Sequence, residues 1–129
     1  MPATMQKQTI TNEDAMALIA APEAKAREIG VPMGTAIVDS EGNLKAFSRQ
    51  DGAALLSVQI AQDKGYTAIA FGMATHEWYE FIKNDPPLLD GIVHTPRLIV
   101  FGGGIRVSGG HYSQDQECAE AALASSEKL

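Results

Sequence analysis

The sequence predicts an α+β fold in which an antiparallel sheet of about five strands is flanked by helices. Short segments of β-strand composition follow one another through tight turns, which favours antiparallel pairing. Longer segments with helical periodicity lie before and after them. The 129 residues, of which 45% are hydrophobic and 20% charged, fit one globular domain spanning residues 1–129.

The first helical segment runs from Thr11, its predicted cap, to about Ile29, and Gly30 ends it. Alanine, leucine and isoleucine recur on one face of this segment. Pro22 falls inside it, where proline removes a backbone donor that a helix interior needs. We therefore expect a kink or a break into two shorter helices near residues 20–21.

Two strands are predicted next, over residues 33–39 and 44–50, joined by the turn sequence SEGN. Glycine and asparagine tolerate the positive φ that tight hairpin turns require. Asp39 is interpreted as a turn-forming residue, with a place in a ligand site as the alternative. Side chains alternate along a strand, so Arg49 shares a face with Phe47 and is more than a surface charge.

A long, largely buried helix is predicted over residues 53–71, on which Lys64 shares a face with apolar residues at helical spacing. A lysine placed there either extends outward along its stem or occupies a pocket. Thr75 is predicted to cap a further helix, which the sequence NDPP ends. Residues 84–97 are then predicted to be a loop, and RLIVF, residues 97–101, a strand.

The stretch FGGGIRVSGG, residues 101–110, raises the possibility of a phosphate-binding loop. A P-loop needs lysine and a hydroxyl residue directly after its glycines, and the dinucleotide fingerprint needs a helix opening at its third glycine. Neither pattern is present. The glycines are instead expected to allow a bent strand. Their amides, beside a helix predicted to begin at Ser113, offer a place for an anion.

Charge and composition argue against several classes of protein. The net charge is −6, from 16 acidic and 10 basic residues without a basic cluster, so no nucleic-acid partner is expected. The single cysteine, Cys118, excludes an internal disulfide and a multi-cysteine zinc site. The N-terminus lacks the pattern of a signal peptide, so a cytoplasmic location is expected. No apolar run approaches the roughly 20 residues that cross a bilayer, so no membrane partner is expected.

Four motifs, in order over residues 31–123, resemble the GlcG/HbpS family, also called the haem-degrading or PduO C-terminal-like domain. They are VPMGTAIVDSEGNLKAFSRQDGA, SVQIAQDKGYTAIAFG, IVFGGG and RVSGGHYSQDQECAEAAL. The chain departs from the family pattern at Gly65, where alanine is usual, and after Gly104, where the family's β-hairpin is shortened or lost. The resemblance implies a profilin-like sheet, assembly as homo-oligomers of two or more chains, and either haem binding or a part in small-molecule catabolism.

Candidate site residues follow from the chemistry and position of individual side chains, and the resemblance adds support for Lys64 in a pocket. The ligand-binding candidates are Arg49, Asp51, Gly103, Gly104, Gln114 and Asp115; the catalytic candidates are Lys64 and His94, with His94 also a candidate ligand of haem iron. An arginine fork suits a carboxylate or a haem propionate, although a structural pair between Arg49 and Asp51 would explain the same residues. For the last two ligand-binding candidates, a favourable position at a helix N-terminus is the structural alternative. For His94, a solvated or structurally hydrogen-bonded histidine is the alternative.

The leading hypothesis is a small-ligand-binding protein of the GlcG/HbpS type, with haem as the implied ligand. The alternative is an enzyme acting on a carboxylated or oxygenated metabolite, in which Lys64 or His94 transfers a proton while Arg49 and the glycine amides hold the anion. A third hypothesis is a subunit whose main role is assembly.

Overall fold

The structure, a computed structural model, describes residues 3–101 together with 107 and 108. An antiparallel sheet of three strands in the order β2-β1-β3 lies at its centre. The strands are β1 (Gly34–Val38), β2 (Leu44–Arg49) and β3 (Val107–Ser108). The predicted α+β class is confirmed, while the described part of the sheet has three strands rather than the five expected.

Two helices, α1 (Asn12–Ala17) and α2 (Ala20–Ile29), precede the sheet, and the chain breaks between them as predicted. Thr11 caps α1, because its Oγ1 accepts a hydrogen bond from a backbone N–H of the first turn at 3.1 Å. Pro22 lies in the first turn of α2, where its missing N–H would have no helical partner. Gly30 ends α2 in the left-handed conformation, with φ of 76°.

Both faces of the sheet are covered, so that every residue of β1 is buried. Ile37 of β1 pairs with Ala46 of β2, and both pack against α1 on one face. The third helix, α3 (Leu56–Phe71), contacts β1 and β3 and covers the opposite face. In the same register Arg49, the last residue of β2, pairs with Gly34, the first residue of β1.

The turn between β1 and β2 follows the prediction. Asp39 Oδ1 accepts hydrogen bonds from the backbone N–H groups of Glu41, at 2.9 Å, and Asn43, at 3.0 Å. Gly42 has φ of 81°, a conformation that favours glycine. Asp39 is therefore a turn-forming residue, as interpreted from the sequence.

Residues 84–97 contain a helix, α5 (Pro86–Gly91), followed by a 3-10 turn (Ile92–His94), so the predicted loop is wrong. Asp85 caps α5, because its Oδ1 accepts a hydrogen bond from Leu88 N at 3.1 Å. Proline ends a helix when it follows residues that are already helical, but it is well suited to the first helical position. The two prolines here begin a helix as well as ending the previous one.

The single helix predicted after Thr75 is a 3-10 turn (Thr75–Glu77) followed by α4 (Trp78–Ile82). Thr75 is not its cap. Its side chain is fully buried, and its hydroxyl has no hydrogen-bond partner in the described part of the chain. Trp78 and Ile82 pack with Ile92 in a core cluster separate from the one beneath the sheet.

Residues 97–101, predicted to be a strand, pair with no strand of the described sheet. Their backbone is bound to α3 instead. Ile99 N donates to Thr67 Oγ1 at 3.0 Å, and the same hydroxyl lies 3.0 Å from Arg97 O, to which it donates. A side-chain hydroxyl takes the place of a strand partner here, which β-propensity does not anticipate.

The remaining structural predictions lie outside the described residues. They are the bend at 102–106, the shortened hairpin and the last helix with its cap at Ser113. Within the described ranges, no helix has the length and apolarity needed to cross a membrane.

Candidate functional site

Lys64 is fully buried on α3 and is the largest of the fully buried side chains in the described structure. Its Nζ lies 4.9 Å from the centroid of the Phe101 ring, an arrangement in which the ring face attracts the cation. Phe101 directly precedes the glycines at 102–104. Burial of an ammonium is costly unless neighbouring groups compensate for it, so the groups around Lys64 have to offset that cost.

Arg49 ends β2 and is exposed, and Asp51 is exposed in the turn that follows. Among the residues that the structure describes, the guanidinium of Arg49 forms no hydrogen bond and no ion pair. The Arg49–Asp51 pair that would have explained both residues structurally does not form. A guanidinium presents a planar fork of donors that fits a carboxylate.

Arg49 and Asp51 line an open groove of about 550 Å³ between α2 and the end of β2. This volume falls within the range of small-molecule sites. The other polar residues of the lining are Glu23, Arg27, Ser48 and Gln50, and the apolar part consists of Ala26, Val31 and Pro32 beside Gly30. The groove therefore combines two arginines and two carboxylates with a small apolar wall.

Hydrogen bonds hold the wall of the groove in place. Gln50 Nε2 donates to Glu23 O at 3.2 Å, and Gln50 Oε1 accepts from Met33 N at 2.9 Å, which ties α2 to the sheet. Ser48 Oγ donates to the carboxylate of Glu23, which also pairs with Arg27 at 3.5 Å. Because only 18% of the Glu23 side chain is exposed, its carboxylate belongs to the wall of the groove rather than to its rim.

The structure does not bring all the predicted residues together. His94 ends the 3-10 turn after α5 and is exposed, and neither His94 nor Lys64 lines the groove. In the part of the chain that is described, no cluster of three or more histidine, cysteine or acidic side chains could hold a metal ion. The roles of Lys64 and His94 stay predictions. Four other candidates lie outside the described residues: Gly103, Gly104, Gln114 and Asp115.

Several residues of the site were not identified from the sequence. Glu23 and Ser48 are 25 positions apart, so no local motif links them. Ser48 and Gln50 had a usable signal, since both are sequence neighbours of Arg49 at the end of the predicted strand. Nothing in the sequence indicates that Phe101 lies over Lys64, because that contact depends on how α3 meets the segment before the glycines.

Comparisons with known proteins agree on one family. Residues 10–124 match the family described as haem degrading protein HbpS-like. The chain is 35% identical over 136 aligned positions to an uncharacterised 15.0 kDa protein of the dhaT-dhaS intergenic region of Citrobacter freundii, covering 95% of this chain and 96% of that protein. It is 32% identical to protein GlcG of Escherichia coli K12, covering 78% of this chain and 73% of GlcG.

Solved structures show the same fold. The crystal structure of Klebsiella pneumoniae ORFY matches with a TM-score of 0.88 at 32% identity, covering 100% of this chain and 98% of that one. The PduOC:heme complex matches with a TM-score of 0.77 at 29% identity, covering 89% and 93%. Fold and sequence together define an α+β domain of a class in which haem binding occurs. The chain belongs to the HbpS-like family, which confirms the predicted resemblance.

Proposed function

We propose that this protein binds a small ligand through a carboxylate of that ligand, and that the ligand is haem. The observation that carries the proposal is Arg49, which lines the groove and whose guanidinium has no partner among the described residues. Charge-assisted hydrogen bonds from an arginine fork are among the strongest that a protein makes to a carboxylate. The haem complex of a structural relative supports haem as the ligand.

The groove fits one part of haem better than another. Arg49 suits a propionate, whereas Ala26, Val31 and Pro32 are too few to cover the macrocycle. The proposed contact at this groove is therefore between Arg49 and a haem propionate, and it does not include the macrocycle. His94 is proposed as the iron ligand on the chemistry of its exposed imidazole, and because it lies outside the groove lining, this role needs its own test.

Titration of the purified protein with haemin, followed by absorbance, tests the proposal. We expect a saturable Soret shift, and Arg49→Ala should weaken binding about tenfold or more, since hydrogen bonds to a charged group contribute about 1.5–3 kcal/mol. Lys83→Ala removes a cation that directly follows α4 and does not line the groove, and it should leave the affinity unchanged. Absence of a saturable shift would remove haem from the account.

The same titration separates the two candidate contacts. His94→Ala should change the position of the Soret band if the imidazole binds iron, whereas Arg49→Ala should change the affinity but not the band position. An unchanged spectrum with His94→Ala would contradict iron ligation by this histidine. Loss of affinity to the same extent in Arg49→Ala and Lys83→Ala would indicate general charge attraction rather than a site.

The enzymatic alternative is supported by a different observation, the full burial of Lys64 beside Phe101. A buried lysine can carry a proton to or from a reacting group when a substrate reaches it. Whether small molecules reach Lys64 is thus the first question for this alternative. Cytoplasmic location and assembly as a homo-oligomer stay predictions.

A further inference from the structure

Arg97 has an unusual backbone. It is the one non-glycine residue with positive φ, 66°, among those that the structure describes. The Cβ of an ordinary residue crowds the neighbouring carbonyl in this region, so the conformation persists only where surrounding contacts determine it. Contacts with α3 provide that constraint at Arg97.

The side chain of Arg97 is held by two residues of α3. Its Nε donates to Asp63 Oδ1 at 2.9 Å, and its guanidinium carbon lies 4.0 Å from the centroid of the Tyr66 ring. Asp63 is itself fixed, because Gln59 Nε2 donates to the same carboxylate oxygen at 2.9 Å. Only 13% of the Asp63 side chain is exposed, against 44% of the Arg97 side chain, so the pair is partly shielded from solvent.

The backbone around Arg97 is held by a third residue of α3. Thr67 is fully buried, and its Oγ1 lies within hydrogen-bond distance of Arg97 O, at 3.0 Å, and of Asp63 O, at 2.8 Å. The same oxygen accepts a hydrogen bond from Ile99 N at 3.0 Å. Both the side chain and the backbone of this turn are thus bound to one stretch of α3.

That stretch of α3 also carries Lys64. Asp63 directly precedes Lys64 along the helix, and Tyr66 and Thr67 follow it by two and three positions. The segment that they hold leads directly to Phe101, whose ring lies 4.9 Å from Lys64 Nζ. The strained turn at Arg97 and the aromatic ring near Lys64 are therefore the two ends of one short segment.

We propose that Arg97 and Thr67 form a latch that holds Phe101 over Lys64, and that opening of this latch gives small molecules access to the lysine. Arg97 is a positioning residue, since it acts on Lys64 only through the placement of Phe101. Phe101 is 46% exposed, and we expect local movement of residues 97–101 to carry its ring away from Lys64 without unfolding the helix. The latch does not depend on haem and holds for any ligand of this site.

Reductive methylation of the intact folded chain with formaldehyde and dimethylamine-borane tests the latch. Cleavage after glutamate releases residues 42–77 as one peptide, which contains Lys45 and Lys64 as its only lysines. Lys45 is exposed and serves as an internal standard for the reagent. Tandem mass spectrometry of this peptide at successive times gives the ratio of methylation at Lys64 to that at Lys45.

In the wild-type chain we expect a low ratio. Arg97→Ala removes the contacts to Asp63 and Tyr66 and should raise the ratio about tenfold, because local opening becomes more favourable as contacts are lost. Thr67→Val removes the hydrogen bonds to Arg97 O and Ile99 N with little change of shape and should raise it similarly. Glu80→Gln removes an exposed ion pair on α4 and is the matched control, with no expected change.

The thermal midpoint of each variant distinguishes opening of the latch from loss of the fold. A raised ratio with a midpoint near that of the wild type supports the latch. Wild-type protection of Lys64 in both Arg97→Ala and Thr67→Val would overturn it. Should Arg97→Ala prove too unstable, Arg97→Gly, which accepts positive φ without strain, gives the same comparison. Methylation of Lys64 tests the latch and haemin titration tests the proposed function, so failure of one proposal is distinguishable from failure of the other.

Discussion

Gly42 lies at the tightest point of the hairpin turn. Its φ is 81°, and a Cβ there would lie 3.3 Å from the Tyr66 ring. We expect Gly42→Ala to lower the free energy of unfolding by about 2 kcal/mol, since the left-handed conformation costs an ordinary residue about 1–2 kcal/mol and the ring must also move. Urea denaturation measures this loss.

Gly30 supplies the matched control for that substitution. Its φ is 76°, yet nothing lies within 4 Å of where a Cβ would be. Gly30→Ala should therefore lose only the conformational part, about 1 kcal/mol. Equal losses at the two positions would show that contact with Tyr66 does not restrict Gly42.

At the residue scale, local roles were predictable and distant contacts were not. Thr11 as a cap and Asp39 as a turn former follow from hydrogen bonds to backbone groups within four positions, which a short sequence window contains. The contact of Ser48 with Glu23 spans 25 positions. No periodicity encodes such a contact, because it depends on the placement of α2 against the sheet.

The sequence analysis did not predict helix α5. Substitution of its capping residue measures how much the cap contributes to stability. Asp85→Ala removes the carboxylate that accepts a hydrogen bond from Leu88 N, so we expect the protein to lose about 1 kcal/mol of stability. Asp90 is exposed near the other end of the same helix and is the matched control. Thermal unfolding of both variants should show a lower midpoint for Asp85→Ala only. Equal midpoints would mean that the cap contributes little.

Elements were predicted well where one signal dominated. The paired strands β1 and β2 and the long helix α3 each follow from a consistent hydrophobic pattern, and their ends differ from the prediction by a few residues. Residues 97–101 have strand composition, but their backbone is hydrogen-bonded to the Thr67 hydroxyl instead of to a neighbouring strand of the described sheet. Amino-acid composition gives the intrinsic preference of a segment for a strand, and its tertiary contacts determine whether the strand forms.

At the scale of the whole molecule, an aromatic surface remains open to solvent. Phe71 and Phe81 are 54% and 55% exposed, with ring centroids 5.5 Å apart, and both rings contact the buried Trp78. Exposed clusters of this kind are common at protein interfaces. Their presence agrees with the predicted homo-oligomer.

Native mass spectrometry of protein purified from its source tests the predicted assembly. We expect a dimer or a larger homo-oligomer, with an added mass where a ligand is carried through purification. Repeating the measurement after dilution distinguishes a stable assembly from association at high concentration. A monomer at every concentration would contradict the prediction of assembly, whatever the ligand.

The segment between Arg97 and Phe101 has a consequence for how this chain can vary in evolution. Three residues, 98–100, separate the anchored turn from the ring that covers Lys64. An insertion or deletion among them would carry the aromatic ring away from the ammonium, whereas changes in length after Phe101 leave that contact in place. Relatives that keep both the arginine and the lysine should therefore keep this spacer at constant length, even where the glycine-rich segment beyond it grows or shrinks.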